Sequence, residues 1–246
     1  MTSSAESLGA WSVAQREFEL RLYFDDGAGP AQHAALHLDS SYLRLVPSRD
    51  SGWGTSIVLL PALWSHEQLF QGSGVAVYWT VEGNRLSLAG RGRVGPLEVD
   101  LEVDLSPPAE GHLCARVSAR VRGKIHLDRR EGEAFRLVTL SSMRLSDRLW
   151  DARAAFADEQ EYPLGPAGPI VDFRANRRAT RLGLLGGSSE WKTNAPTVEI
   201  ELDRRRSVGG WLTRGRDPSG DNVSLWAATS TIARSWSYTI HARRPD

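Results

Sequence analysis

From Leu97 to Leu105 the chain alternates without a fault. Leu97, Val99, Leu101, Val103 and Leu105 share one parity, and Glu98, Asp100, Glu102 and Asp104 the other. A period of two marks a strand with one buried face, because successive side chains leave the backbone on opposite sides. After the loop Ser106-Pro107-Pro108-Ala109-Glu110-Gly111 the pattern resumes. Leu113, Ala115, Val117, Ala119 and Val121 now face inward, with Cys114, Arg116, Ser118, Arg120 and Arg122 outward. The two segments predict an antiparallel hairpin whose outer rows set Arg beside Asp or Glu, at ~0.2–1 kcal/mol per cross-strand pair. Upstream, Val75, Val77, Trp79 and Val81 share a parity, and Glu82-Gly83-Asn84 makes a turn. Leu86 and Leu88 then open a return strand that carries Arg91 and Arg93. The acidic strand is therefore expected between basic neighbours in a meander of at least four. A slip of one residue would bury the charges, so the register is well specified.

Elsewhere the same period recurs in shorter pieces. Residues 1–15 read as a flexible lead-in, and 16–246 as one domain. The first strand is expected from Arg16 to Phe24, with Phe18, Leu20, Leu22 and Phe24 on one side. Others are expected at Gln32–Leu38, Tyr42–Val46, Ile57–Leu60, Phe135–Leu145, Ala179–Leu185, Thr197–Asp203, Val208–Thr213, Val223–Ala228 and Ser235–Ala242. In the last of these Trp236, Tyr238 and Ile240 share a face. Ser146 followed by Asp147 has the form of a helix cap, which predicts a short helix running through Trp150 to Phe156. About a dozen short strands punctuated by Gly and Pro predict an all-β fold. The expected form is a single-domain antiparallel two-sheet sandwich with at most one or two short helices, a large antiparallel barrel being the alternative.

Composition excludes several classes of partner. In 246 residues, 30 basic and 30 acidic side chains cancel, so the broad positive field that nucleic acid or an anionic membrane would need is absent. Cys114 stands alone, which removes an intramolecular disulfide and any cysteine-based zinc site. No apolar run approaches the ~18 residues of a membrane helix. Nor does the N-terminus carry a basic start before an apolar run, so a soluble cytoplasmic protein is the expectation. Gly90-Arg91-Gly92-Arg93-Val94-Gly95 fits the dinucleotide spacing, but Pro96 and a strand follow where the phosphate-binding helix would have to begin. Asp217-Pro218-Ser219-Gly220-Asp221-Asn222 reads as a solvated turn rather than a calcium loop, since no bidentate Glu follows at suitable spacing. His33 and His37, four apart in an expected strand, share a face but stand too far apart along it to chelate. No metal and no cofactor is expected, and the partner expected is a small-molecule ligand.

Nine tryptophans against two methionines are the compositional oddity. Trp79 and Trp236 fall on core parities. Others stand in expected loops beside ionisable or amide groups: Trp64 near His66 and Glu67, Trp150 near Asp151, Trp191 near Lys192 and Asn194, and Trp226 near Asp221 and Asn222. Trp53 lies between two glycines. A carboxyl group against an indole face loses hydration, and its pKa rises toward neutrality. On that basis Asp151, Glu67, His66 and Lys192 are candidate acid/base residues, with Trp53, Trp64, Trp150, Trp191, Asn194 and Trp226 lining a ligand site. For each cluster alone, a cap, an ion pair or a solvated face explains the same letters more often than catalysis does.

The pattern of many short strands with loop-borne Trp and acidic residues resembles the large sandwiches of the galactose-mutarotase type and the β-fold cyclases of secondary metabolism. The resemblance covers architecture. It implies either a cofactor-independent isomerase or cyclase that folds an apolar metabolite in a Trp-lined cavity, or a carbohydrate-binding or carbohydrate-active sandwich. Absence of an export signal tilts the expectation toward the first.

Overall fold

The computed structural model describes residues 9–38, 43–46, 56–59, 61–65, 68–70, 72–95, 97–109, 112–122, 134–146, 149–150, 152–163, 180–186, 197–202, 209–217, 220–230 and 234–243. In chain order the strands are β1 (Ala10–Arg16), β2 (Glu19–Asp25), β3 (Pro30–Leu38), β4 (Leu43–Val46), β5 (Ser56–Val58), β6 (Ala62–Ser65) and β7 (Gln68–Phe70). Next come β8 (Gly72–Glu82), β9 (Arg85–Val94), β10 (Leu97–Leu105), β11 (His112–Arg122), β12 (Ala134–Ser146), β13 (Leu149–Trp150) and β14 (Ala152–Ala157). The rest are β15 (Gln160–Pro163), β16 (Arg181–Gly186), β17 (Thr197–Leu202), β18 (Gly209–Asp217), β19 (Gly220–Ser230) and β20 (Ser235–Arg243). Among the described residues there is no helix.

The strands form two antiparallel sheets. One has eleven strands and the path β1-β2-β3-β4-β5-β12-β19-β18, with β6 and β13 also on β12 and β7 on β6. The other has nine, in the order β15-β14-β16-β17-β20-β11-β10-β9-β8. Each path ends in free edges, so this is a sandwich and not a closed barrel. Between the sheets lies one continuous apolar cluster. Leu20, Leu22, Leu45, Ile57 and Leu140 enter it from the larger sheet, and Leu86, Val99, Leu105, Val117 and Ile240 from the smaller, all fully buried. Each such aliphatic side chain contributes about 1.5–3 kcal/mol by leaving water.

The central meander follows its alternation. Across β10 and β11, Glu98 faces Arg122, Asp100 faces Arg120 and Asp104 faces Arg116, while β9 sets Arg93 and Arg91 against Glu98 and Asp100. Every odd residue from Leu97 to Leu105 is buried. The turn between β8 and β9 is the two-residue Gly83-Asn84, with Gly83 at φ 59°, a conformation that costs glycine little. Tyr238 of β20 is 2% exposed, and its hydroxyl has no hydrogen-bond partner. Burial pushes its pKa far up. A buried donor without a partner loses its hydration and regains nothing. Tyr238→Phe is therefore expected to raise the unfolding free energy by about 1 kcal/mol in urea titration.

Four expectations are corrected. The helix from Ser146 to Phe156 is strand instead. β12 continues to Ser146, β13 folds back on Arg144 and Ser146 through an irregular register, and β14 crosses to the nine-stranded sheet. There it pairs with β15 on one side and β16 on the other. Ladder partners on both edges and burial on both faces outweigh the helix propensity of an alanine-rich segment, which is a weak term per residue. The lead-in holds β1, paired residue for residue with β2 from Ala10↔Asp25 to Arg16↔Glu19, and Trp11 is 3% exposed against Phe24 at 5.2 Å between ring centroids. Phe18 does not continue the buried row of β2; it sits in the turn and is 61% exposed. Finally, His33 and His37 do not share a face. The register passes from Leu22↔Ala34 to Tyr23↔Gln32, leaving His33 as the extra residue of a bulge. His33 lies 6.3 Å from Trp11 and 6.4 Å from Phe24, ring to ring, on the core side.

Candidate functional site

The outer face of the nine-stranded sheet is where polar chemistry collects, and its rows follow from register. One row crosses five strands: Tyr78, Ala89, Glu102, Ser118 and Ser237 stand side by side on β8, β9, β10, β11 and β20. Val77 and Trp79 pack on the core, so Tyr78 faces outward, and it is 72% exposed. The next row carries Arg91, Asp100, Arg120 and Ser235. Neighbouring strands are about 4.8 Å apart, which puts the Tyr78 position about 10 Å from Glu102 with only the methyl of Ala89 between.

A depression of about 450 Å³ opens over these rows, lined by Asp100, Glu102, Ser118, Arg120, Arg122, Ser235 and Ser237. The charges around it are unequally engaged. Asp100 accepts from Arg91 Nε at 3.3 Å and is held on its other oxygen by Arg122 Nε. Asp104 accepts from Ser87 Oγ at 2.7 Å and pairs with Arg85 Nη2 at 2.7 Å. Those two contacts, the Ser87 hydrogen bond first, hold its carboxyl below the ordinary range. Glu98 has Arg93 at 4.0 Å. By contrast no hydrogen bond or ion pair engages Glu102, Ser118, Arg120 or Ser237 among the described residues. The depression thus offers one uncommitted carboxylate, one uncommitted guanidinium and two hydroxyls.

Further along the same face is a second polar group. Arg181 grips Glu199 through two parallel bonds, Nε to Oε1 at 2.7 Å and Nη2 to Oε2 at 3.0 Å. The Arg181 hydrogen bonds hold the Glu199 carboxyl below its ordinary value despite burial. Beside Glu199 on β20 stands His241, whose Nδ1 lies 3.1 Å from His112 Nε2 on β11, the rings stacked at 29°. His241 Nε2 is 3.8 Å from Glu201 Oε2. Cys114 lies opposite His241 across the ladder, with its thiol pushed up by burial.

Three of the sequence-predicted site residues fall on strands of the other sheet. Trp64 falls on β6, opposite Ala134; Trp150 on β13, opposite Arg144; and Trp226 on β19, opposite Thr139 and Trp211. All three strands belong to the eleven-stranded sheet, so these positions are in strands and not in loops. Asp151, Glu67, His66, Lys192, Trp53, Trp191 and Asn194 lie outside the described residues. Among the described residues no three His, Cys, Asp or Glu side chains converge as a metal site, and no helix is long and apolar enough to cross a membrane. Period two names the outward residues of β8 to β11, and register sets Tyr78 and Glu102 in one row on either side of Ala89.

No protein-family model matches the chain, and no curated protein matches it. Among solved structures it is similar to the α-N-acetylgalactosaminidase NagBb of Bifidobacterium bifidum in its Gal-NHAc-DNJ complex. The TM-score is 0.53 at 10% identity, over 95% of this chain and 36% of that one. The ligand-free form of the same enzyme gives 0.48 at 11% identity, over 87% and 35%. The likeness is one of fold. The chain spans about a third of the length of that glycosidase.

Proposed function

We propose that this chain is a carbohydrate-handling sandwich, and that a saccharide lies across the outer face of the nine-stranded sheet. The observation that carries it is an open depression lined by Glu102, Ser118, Arg120 and Ser237, with the exposed Tyr78 further out in the same cross-strand row. An exposed phenol ring offers a flat face for the apolar side of a pyranose, as aromatic rings do at wet interfaces. The small Ala89 leaves room beside it. Glu102 accepts from paired hydroxyls, Arg120 donates to ring or hydroxyl oxygens, and Ser118 and Ser237 do either. The fold shared with a distant glycosidase supports this reading, and nothing favours the isomerase or cyclase.

Binding fits the geometry better than cleavage does. Glycoside hydrolysis commonly uses two carboxyl groups with separate roles. In the depression Asp100 is already clasped by Arg91 and Arg122, which leaves Glu102 alone. Calorimetric titration of the full chain with neutral hexoses, N-acetylhexosamines and their oligosaccharides tests the proposal. At least one is expected to bind saturably. Tyr78→Ala, Glu102→Gln and Arg120→Ala are each expected to weaken it about tenfold, or about 1.4 kcal/mol, while Phe18→Ala on the other sheet leaves it unchanged. Binding of apolar polycycles without any saccharide binding, or saccharide affinity indifferent to all three substitutions, overturns it.

A further inference from the structure

We infer that His112 and His241 form a site for a divalent transition-metal ion of the zinc, nickel or copper type, held by one imidazole nitrogen from each of two adjacent strands. The two nitrogens, His112 Nε2 and His241 Nδ1, are 3.1 Å apart. Ligands about 2.0–2.1 Å from one metal are about 3.3 Å apart at a tetrahedral angle and about 2.9 Å apart at a right angle. The observed separation lies between the two, so an ion replaces the shared proton with small side-chain adjustments.

The surroundings of the pair favour the same outcome. Glu201 sits on the far nitrogen of His241, 3.8 Å from Nε2. A carboxylate outside the second ring nitrogen is an arrangement that metal-bound histidines commonly show. His112 is held below the ordinary histidine pKa, first by burial, then by the positive fields of His241 and Arg243. A metal takes imidazole in its neutral form, so binding competes with protons. Of the other groups facing the pair, Glu199 is taken up by Arg181, Arg243 is cationic, and Cys114 stands opposite His241 across the ladder. Since among the described residues no third His, Cys, Asp or Glu converges on the pair, the remaining positions belong to water, and the site is open to an exogenous ligand. It is separate from the saccharide depression, four residues along β20 from Ser237, so either proposal stands if the other fails.

The test is titration of the full chain with nickel(II) by calorimetry and with copper(II) by electron paramagnetic resonance. One equivalent is expected to bind with two coupled imidazole nitrogens, and affinity is expected to fall as pH drops below about 6.5, where histidine takes up protons. His112→Ala and His241→Ala are each expected to weaken binding at least tenfold, and Cys114→Ser to leave it unchanged. His112 lies at a strand end, so its variant retains the fold, checked by its urea midpoint, even if His241→Ala does not. Absence of binding, or an affinity unaffected by His112→Ala, overturns the inference; so does loss confined to Cys114→Ser.

Discussion

Gly183→Ala is expected to lower the unfolding free energy by about 3 kcal/mol, a large effect for one methyl group. Gly183 lies on the outer face of β16, directly beside Phe156 of β14 and Glu199 of β17. A Cβ there would fall within the van der Waals surface of the Phe156 ring and of the Val198 carbonyl oxygen. The ring can swing away, at the cost of exposing a side chain now 6% exposed. The carbonyl cannot, because it belongs to the ladder partner β17. Phe156→Leu combined with Gly183→Ala should therefore recover only part of the loss, which separates the two clashes. A loss below about 1 kcal/mol would mean that this corner is looser than its packing indicates.

The second large effect is expected at Arg181→Ala, about 2 kcal/mol at pH 7. Breaking a buried pair by removing one partner costs about 3–5 kcal/mol because a charge is stranded. Here the Glu199 side chain is 10% exposed but Arg181 is 49% exposed, so water screens the pair and the figure is discounted. The pH dependence follows from the depressed Glu199 value. A carboxyl with a folded pKa below its ordinary 4.5 adds stability above that value and loses it as pH falls through the lower folded one. Wild type and Arg181→Ala should thus differ most at neutral pH and converge in acid, as pH falls below 4.5 and through the lower folded value. A difference independent of pH would assign the cost to lost packing of the arginine stem.

The fold was legible where one face is buried and the other charged. Leu97–Leu105 and Leu113–Val121 could be placed residue by residue, because a slip would bury Asp100 or Arg120. It was less legible where local signals compete with partners distant in sequence. Ser146 to Phe156 carries a cap and alanines, yet takes its shape from β15 and β16, which no local pattern reveals. His33 could not be placed because a bulge resets parity without changing composition. Glu199, on the outer face of β17, is nearly buried because Arg181 covers it, which no local pattern reveals either.

The outer face of the nine-stranded sheet was passed over for a related reason. Loops were taken as the carriers of function because sheet faces were assumed to be committed to packing. On β8 to β11 and β20 only one face of the smaller sheet packs on the core. The other sets residues separated by up to 159 positions, Tyr78 and Ser237, into one row. The Trp clusters drew attention because their members are neighbours in sequence; the Tyr78 row is a neighbourhood made only by strand pairing.

Amide chemical-shift mapping of the full chain against a saturating saccharide tests the central claim most directly. The account predicts perturbations concentrated on Tyr78, Ala89, Glu102, Ser118, Arg120 and Ser237. Perturbations confined to Trp64, Trp150 and Trp226, on the opposite sheet, would contradict it.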